Sequence, residues 1–211
     1  MFRIFVLAVS FWFASSLAMA DEPAYYQVSG VDSSDVLNIR AEPNAGSEQI
    51  GGFQPDAAPV EVLEIRDVNG SKWGRVHSFE LDGWVSMRFL APIEVELIEN
   101  TRIPMGLNCG GTEPFWNVNL LEEVVSFSPM GAEPIELPLE ISTTTRGRNH
   151  RFAVVAIDRG KRLTAMISRG EQCSDGMSDR NYGWRADVLI EDPTNAEIAG
   201  SYEGCCSLRL K

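Results

Sequence analysis

The chain has no cysteine before residue 109, no helical periodicity sustained over three turns between Tyr25 and Pro92, and, beyond residue 20, no apolar run long enough to cross a bilayer. The first absence confines any disulfide framework to the second half of the chain. The second excludes a helical bundle there, and the third excludes a helical membrane span after the first twenty residues. Basic residues are also scarce: 18 Lys and Arg stand against 30 Asp and Glu, a formal net charge of −12. Such a surface repels phosphate backbones and anionic headgroups, which excludes nucleic acid and acidic membrane as partners and favours cationic ones.

Residues 1–20 stand apart. Arg3 supplies a short positive end, Ile4 to Leu17 is nearly all apolar, and Ala18-Met19-Ala20 forms a small-x-small cleavage pattern before Asp21. This is the pattern of a signal peptide. No cysteine follows the cleavage point to carry lipoprotein acyl chains, so the expected product is periplasmic or secreted, with no transmembrane segment after cleavage. In that oxidising compartment Cys109, Cys173, Cys205 and Cys206 are expected to form two disulfides. Neighbouring strand residues point to opposite faces, so Cys205 and Cys206 should each reach a distant partner, Cys109 and Cys173 in either order.

From Tyr25 to Pro92 short β-rich runs ("YYQV", "VLNIR", "QIGGF", "VEVLEI", "KWGRVHS", "GWVS") alternate with turn residues. Asn69-Gly70 and Asp82-Gly83 are the hairpin signals, because both pairs tolerate positive φ. Trp73 and Trp84 lie beside turns, where a flat apolar face can border a peptide groove, and Arg40 ends a strand ahead of an acidic loop containing Glu42. Leu37-Asn38-Ile39-Arg40, Glu42-Pro43, Val60-Glu61-Val62-Leu63, Trp73-Gly74-Arg75-Val76 and Gly83-Trp84-Val85-Ser86, ending at Leu90, together resemble a bacterial SH3-like (SH3b) domain. The resemblance implies a small half-open β-barrel over residues 21–92 and, as in other members, attachment to peptidoglycan stem peptides or a partner peptide.

Residues 93–211 form a second module, entered through an acidic strand-and-connector stretch that has no Gly/Ser low complexity and so favours packing between the modules over free swinging. Period-two faces recur: Trp116, Val118 and Leu120; Ile135, Leu137, Leu139 and Ile141; Phe152, Val154 and Ala156; Leu163, Ala165 and Ile167; Trp184, Ala186, Val188 and Ile190. The expected fold class is therefore all-β, an SH3-like barrel followed by a disulfide-stapled antiparallel barrel of about eight strands. The motifs "CGGTEPFW", "CSDGMSD" and "GCC" resemble an uncharacterised domain of proteobacterial envelope proteins. That resemblance implies location and fold, with no activity attached.

Ligand-contact candidates are Arg40, Trp73 and Trp84 in the first module and Glu113, Trp116, Asp175 and Asp179 in the second. The three carboxylates lie in the cysteine motifs and could converge to accept a cation or do acid–base work. Against this, no His, Lys or Ser sits in an activating position, and "SDG" and "SDR" suit tight turns whose aspartates bond their own backbone. "EGCCSLR" resembles the Gly-Cys of L,D-transpeptidases, but a paired cysteine is no nucleophile. The expectation is a non-enzymatic accessory protein of the cell envelope, without cofactor or metal, binding a peptidoglycan peptide or an envelope protein. The alternatives are a periplasmic hydrolase using Glu113, Asp175 and Asp179, and an inhibitor of a basic wall-lytic enzyme.

Overall fold

The structure is a computed structural model that describes residues 24–78 and 81–208. The expected signal segment, residues 1–20, lies outside the described residues. No described helix is long and apolar enough to cross a membrane. The first module holds β1 (Ala24–Val28), β2 (Leu37–Arg40), β3 (Gln49–Phe53), β4 (Val60–Val62), β5 (Glu64–Val68), β6 (Ser71–Ser78), β7 (Leu81–Ser86) and β8 (Leu90–Pro92). They form a three-stranded sheet, β4-β1-β8, and a five-stranded sheet, β3-β2-β7-β6-β5, over a core that includes Val28, Leu37, Ile39, Val76 and Val85.

Two sequence expectations are corrected here. The run "VEVLEI" is two strands rather than one: β4 pairs with β1 in one sheet and β5 with β6 in the other, with the switch at Leu63. This is how a short strand turns a barrel corner. Asn69 and Gly70, at φ 54° and 80°, do make the β5–β6 turn. Asp82 and Gly83 instead lie inside β7, opposite His77 and Val76. Gly83 is needed there for clearance, because a Cβ would overlap the Ile39 side chain.

The second module holds β9 (Leu107–Thr112), β10 (Phe115–Leu120), β11 (Val124–Pro129), β12 (Ile135–Thr144), β13 (Arg151–Asp158), β14 (Lys161–Ser174), β15 (Asn181–Glu191) and β16 (Gly200–Leu208). All pair antiparallel, and β16 returns to β9, closing an eight-strand barrel with no free edge. The predicted inward faces of β10, β13, β14 and β15 are buried. The face predicted for β12 breaks. A register shift between Leu139 and Ile141 turns Ile141 outward, 51% exposed, while Leu137 stays in the core.

That shift has a use. Beyond it, Ser142 Oγ and Thr144 Oγ1 donate to the carbonyls of Glu99 and Asn100, at 2.6 and 3.0 Å. The linker folds back as a tight loop, with the Ile98 amide donating to the Ile103 carbonyl at 2.9 Å, and inserts both isoleucines into the barrel core. It thereby plugs the end where β10 and β12 finish.

The disulfides follow the alternation of faces. Cys206 points inward and bonds Cys109 directly across the β16–β9 pair, with the Cα atoms 3.9 Å apart. Cys205 bonds Cys173 on β14, with Cα atoms 5.6 Å apart. Loops closed by cross-links of 97 and 32 residues' separation stabilise by roughly 4 to 5 kcal/mol each in the chain-entropy account.

Candidate functional site

The first module's face of β1, β4, β6 and β7 docks against β15, and the contact is polar at its centre. Trp184 Nε1 donates to the Tyr25 hydroxyl at 3.0 Å, and that hydroxyl donates to Glu61 Oε1 at 3.3 Å. Val60 and Val62 fill the SH3 core, so alternation along β4 aims Glu61 the other way, under the barrel, where it is 4% exposed. At the rim Asp82 ties the modules: its carboxylate accepts from the Asn181 backbone N–H at 3.0 Å and side-chain amide at 2.8 Å. Arg75, at 3.0 Å, holds the same carboxylate from the SH3 side.

Burial drives the local titration. Removal from water pushes the Glu61 carboxyl up to about 7, against the lowering pull of the Tyr25 hydroxyl, Arg180 and Trp184. The same loss of water, followed by the nearby Arg180 charge, pushes His77 down to about 3. His77 Nδ1 lies 4.0 Å from Glu61 Oε2, too far for a hydrogen bond. With the imidazole neutral at pH 7, this contact is no ion pair.

Beside this junction opens a cleft of about 970 Å³ with walls from both modules. Phe53, Ala57 and His77 belong to the SH3 wall. The barrel wall is the outer face of β9, β15 and β16, with Gly110, Thr112, Arg180, Tyr182 and Ser207. Strand packing is very close here and requires glycine at Gly204, where a Cβ would overlap the carbonyl of Gly110 on the neighbouring strand. Arg180 Nη2 donates to Ser207 Oγ at 2.8 Å, and its guanidinium lies 4.2 Å from the centre of the Tyr182 ring.

Of the carboxylates singled out in the sequence, only Asp175 lines this cleft. Its Oδ1 accepts the backbone N–H groups of Met177 and Ser178 at 3.0 and 2.9 Å, and its Oδ2 accepts the Tyr182 hydroxyl at 2.9 Å. Partial burial works to raise its pKa, but these bonds together hold it below the usual carboxylate range. Glu113 is exposed on the β9–β10 turn and Asp179 is exposed past the Asp175 turn. Among the described residues no group of three His, Cys, Asp or Glu is placed to hold a metal ion.

The aromatic candidates divide. Trp116 is enclosed in the barrel, its ring 5.7 Å from that of Tyr202, and Trp84 is buried under the Arg66 guanidinium at 4.5 Å. Trp73 and Arg40 come together at a smaller cleft of about 390 Å³ in the SH3 module, bordered also by Asp32 and Asp35. The Arg40 guanidinium donates to the Ser47 carbonyl at 2.6 Å rather than to Glu42. Sequence reasoning missed Tyr25, Glu61, His77, Arg180 and Tyr182 as site residues. The available signal was Glu61, an acidic residue inside the run "VEV".

Residues 35–91 match the family model of the bacterial SH3 domain, so the first module is a bacterial SH3 domain. No curated protein and no solved structure matches the chain.

Proposed function

We propose that a bacterial SH3 domain fixed to a disulfide-stapled barrel makes this a non-catalytic binding protein of the cell envelope, which grips a peptidoglycan stem peptide or a partner peptide at the module junction. The observation that carries this reading is the cleft of about 970 Å³ built by both modules. Bacterial SH3 domains commonly bind such peptides, and here the domain supplies one wall of a cleft whose other wall is rigid. Two disulfides suit an oxidising compartment, reached by way of the leader at residues 1–20.

The chemistry of the cleft supports binding over catalysis. An effective general base titrates near the working pH, whereas His77 lies far below it, Asp175 has its oxygens engaged in a turn, and Glu61, raised to about 7, is buried and does not line the cleft. All four cysteines are consumed in disulfides. The test is sedimentation with purified sacculi and calorimetric titration with stem tetrapeptide, comparing the wild-type protein with Ala57→Trp, which fills the cleft from the SH3 wall. Retention of the wild type and loss in the variant is the expected result. No retention of either protein, and no heat with the tetrapeptide, would reject the envelope reading.

A further inference from the structure

We infer that Arg180 is the anchor for a free carboxylate, that of the C-terminal residue of a short peptide lying in the junction cleft. This deepens the binding function proposed above and rests on it for the identity of the cleft. In a chain with 18 basic and 30 acidic residues, cations are expected to find carboxylates readily. Several do among the described residues: Arg75 meets Glu64 and Asp82, Lys161 meets Asp192, and Arg185 meets Glu203. Among the described residues Arg180 makes no such pair. Its partners are a serine hydroxyl and a tyrosine ring, and its Nε is buried without a hydrogen-bond partner.

A guanidinium partly withdrawn from water, with its buried Nε–H unpaired and no ion pair, is short of polar partners, and a planar carboxylate is the anion whose two oxygens match its fork. Glu61 lies near enough to feel the Arg180 charge but forms no ion pair with it. Asp175 is bound up in its own turn. The cleft also says which anion. Asp56 and Asp175 on its wall oppose a doubly charged phosphate, whereas a singly charged carboxylate is tolerated; Phe53, Ala57 and Leu208 give an apolar surface for a small side chain next to it. Tyr182, stacked under the guanidinium, fixes the plane in which the carboxylate is met.

The test uses the full chain and needs no natural ligand. N-acetyl-Ala-Ala, its C-terminal amide, and N-acetyl-Asp-amide are titrated while the Arg180 Nε–H resonance is followed by NMR. The expected result is a saturable shift with the free C-terminal acid, binding weaker by about tenfold or more for the amide, and loss of that difference in Arg180→Gln. Stronger binding of N-acetyl-Asp-amide would overturn the terminal-carboxylate assignment in favour of a side-chain one. Equal binding of acid and amide, or an unmoved Arg180 signal, would overturn the site itself, and neither comparison depends on the variant folding. If acetyl-Ala-Ala saturates the site while sacculi and stem tetrapeptide do not bind, the envelope reading falls and this site stands. If stem tetrapeptide binds equally well after amidation, the site falls and the envelope reading stands.

Discussion

The Trp184 indole N–H donates to the Tyr25 hydroxyl at 3.0 Å across 159 positions of sequence, joining the middle of the barrel to the first strand of the SH3 domain. Because Tyr25 passes its own proton donor on to Glu61, three buried polar groups are linked as one chain, while Glu61 Oε2 lies outside it, buried and without a hydrogen bond. Removing the middle member leaves two of them without a partner. This makes the junction part of the folded core and not a hinge.

Replacing Tyr25 by Phe is therefore expected to cost about 1 to 3 kcal/mol, the range for stranding buried polar groups. A double-mutant cycle with Trp184→Phe should give a coupling of at least about 0.5 kcal/mol. Urea unfolding followed by tryptophan fluorescence measures both. Strict additivity of the two substitutions would mean that the bond does not tie the modules energetically.

Glu61 and His77 should oppose each other in the dependence of stability on pH. Glu61 is raised from 4.5 to about 7, so the folded protein keeps a proton that the unfolded chain releases. Its contribution is full below pH 4.5 and is lost as pH rises through 7. His77 is lowered from 6.5 to about 3, so its contribution is full above pH 6.5 and is lost as pH falls towards 3. Between pH 4.5 and 6.5 the two slopes have opposite sign. The melting temperature of Glu61→Gln should then climb more steeply over that window than that of the wild type, and that of His77→Gln should fall. Parallel curves for all three proteins would remove both groups from the linkage.

Leu137 and Ile141 lie on the same strand, at positions that simple alternation makes equivalent. The register shift between them separates their fates. Leu137→Ala should cost about 2 to 5 kcal/mol, as truncations in a closed core do, whereas Ile141→Ser should stay within about 0.5 kcal/mol of the wild type. Denaturant midpoints of the two variants decide it, and similar losses would restore the unbroken face.

Much of the barrel was legible in sequence because alternation is a local code. Phe152, Val154 and Ala156, or Trp184, Ala186 and Val188, announce an inner face wherever they occur, and Cys205 and Cys206 could only point to opposite faces. The Asn69-Gly70 turn was legible for the same reason, its positive φ being a property of two residues. Asp82-Gly83 carried the same signal with a different cause, clearance for Ile39, and nothing local distinguishes the two. The role of linker residues 93–106 as a plug was equally hidden, since Ile98 and Ile103 are apolar in any reading.

By itself the sequence determined the all-β class, the SH3 module, the inward residues of most barrel strands and the facing of its cysteines, all of which depend on near neighbours. Only the tertiary structure decided that Glu61, His77 and Arg180 would share one junction beside a cleft. Glu61 and His77 are ordinary polar residues on strands, and Arg180 is one just before a strand, until the two modules come together. Burial by a distant surface changes a group's solvation and charge without leaving any pattern among the residues beside it.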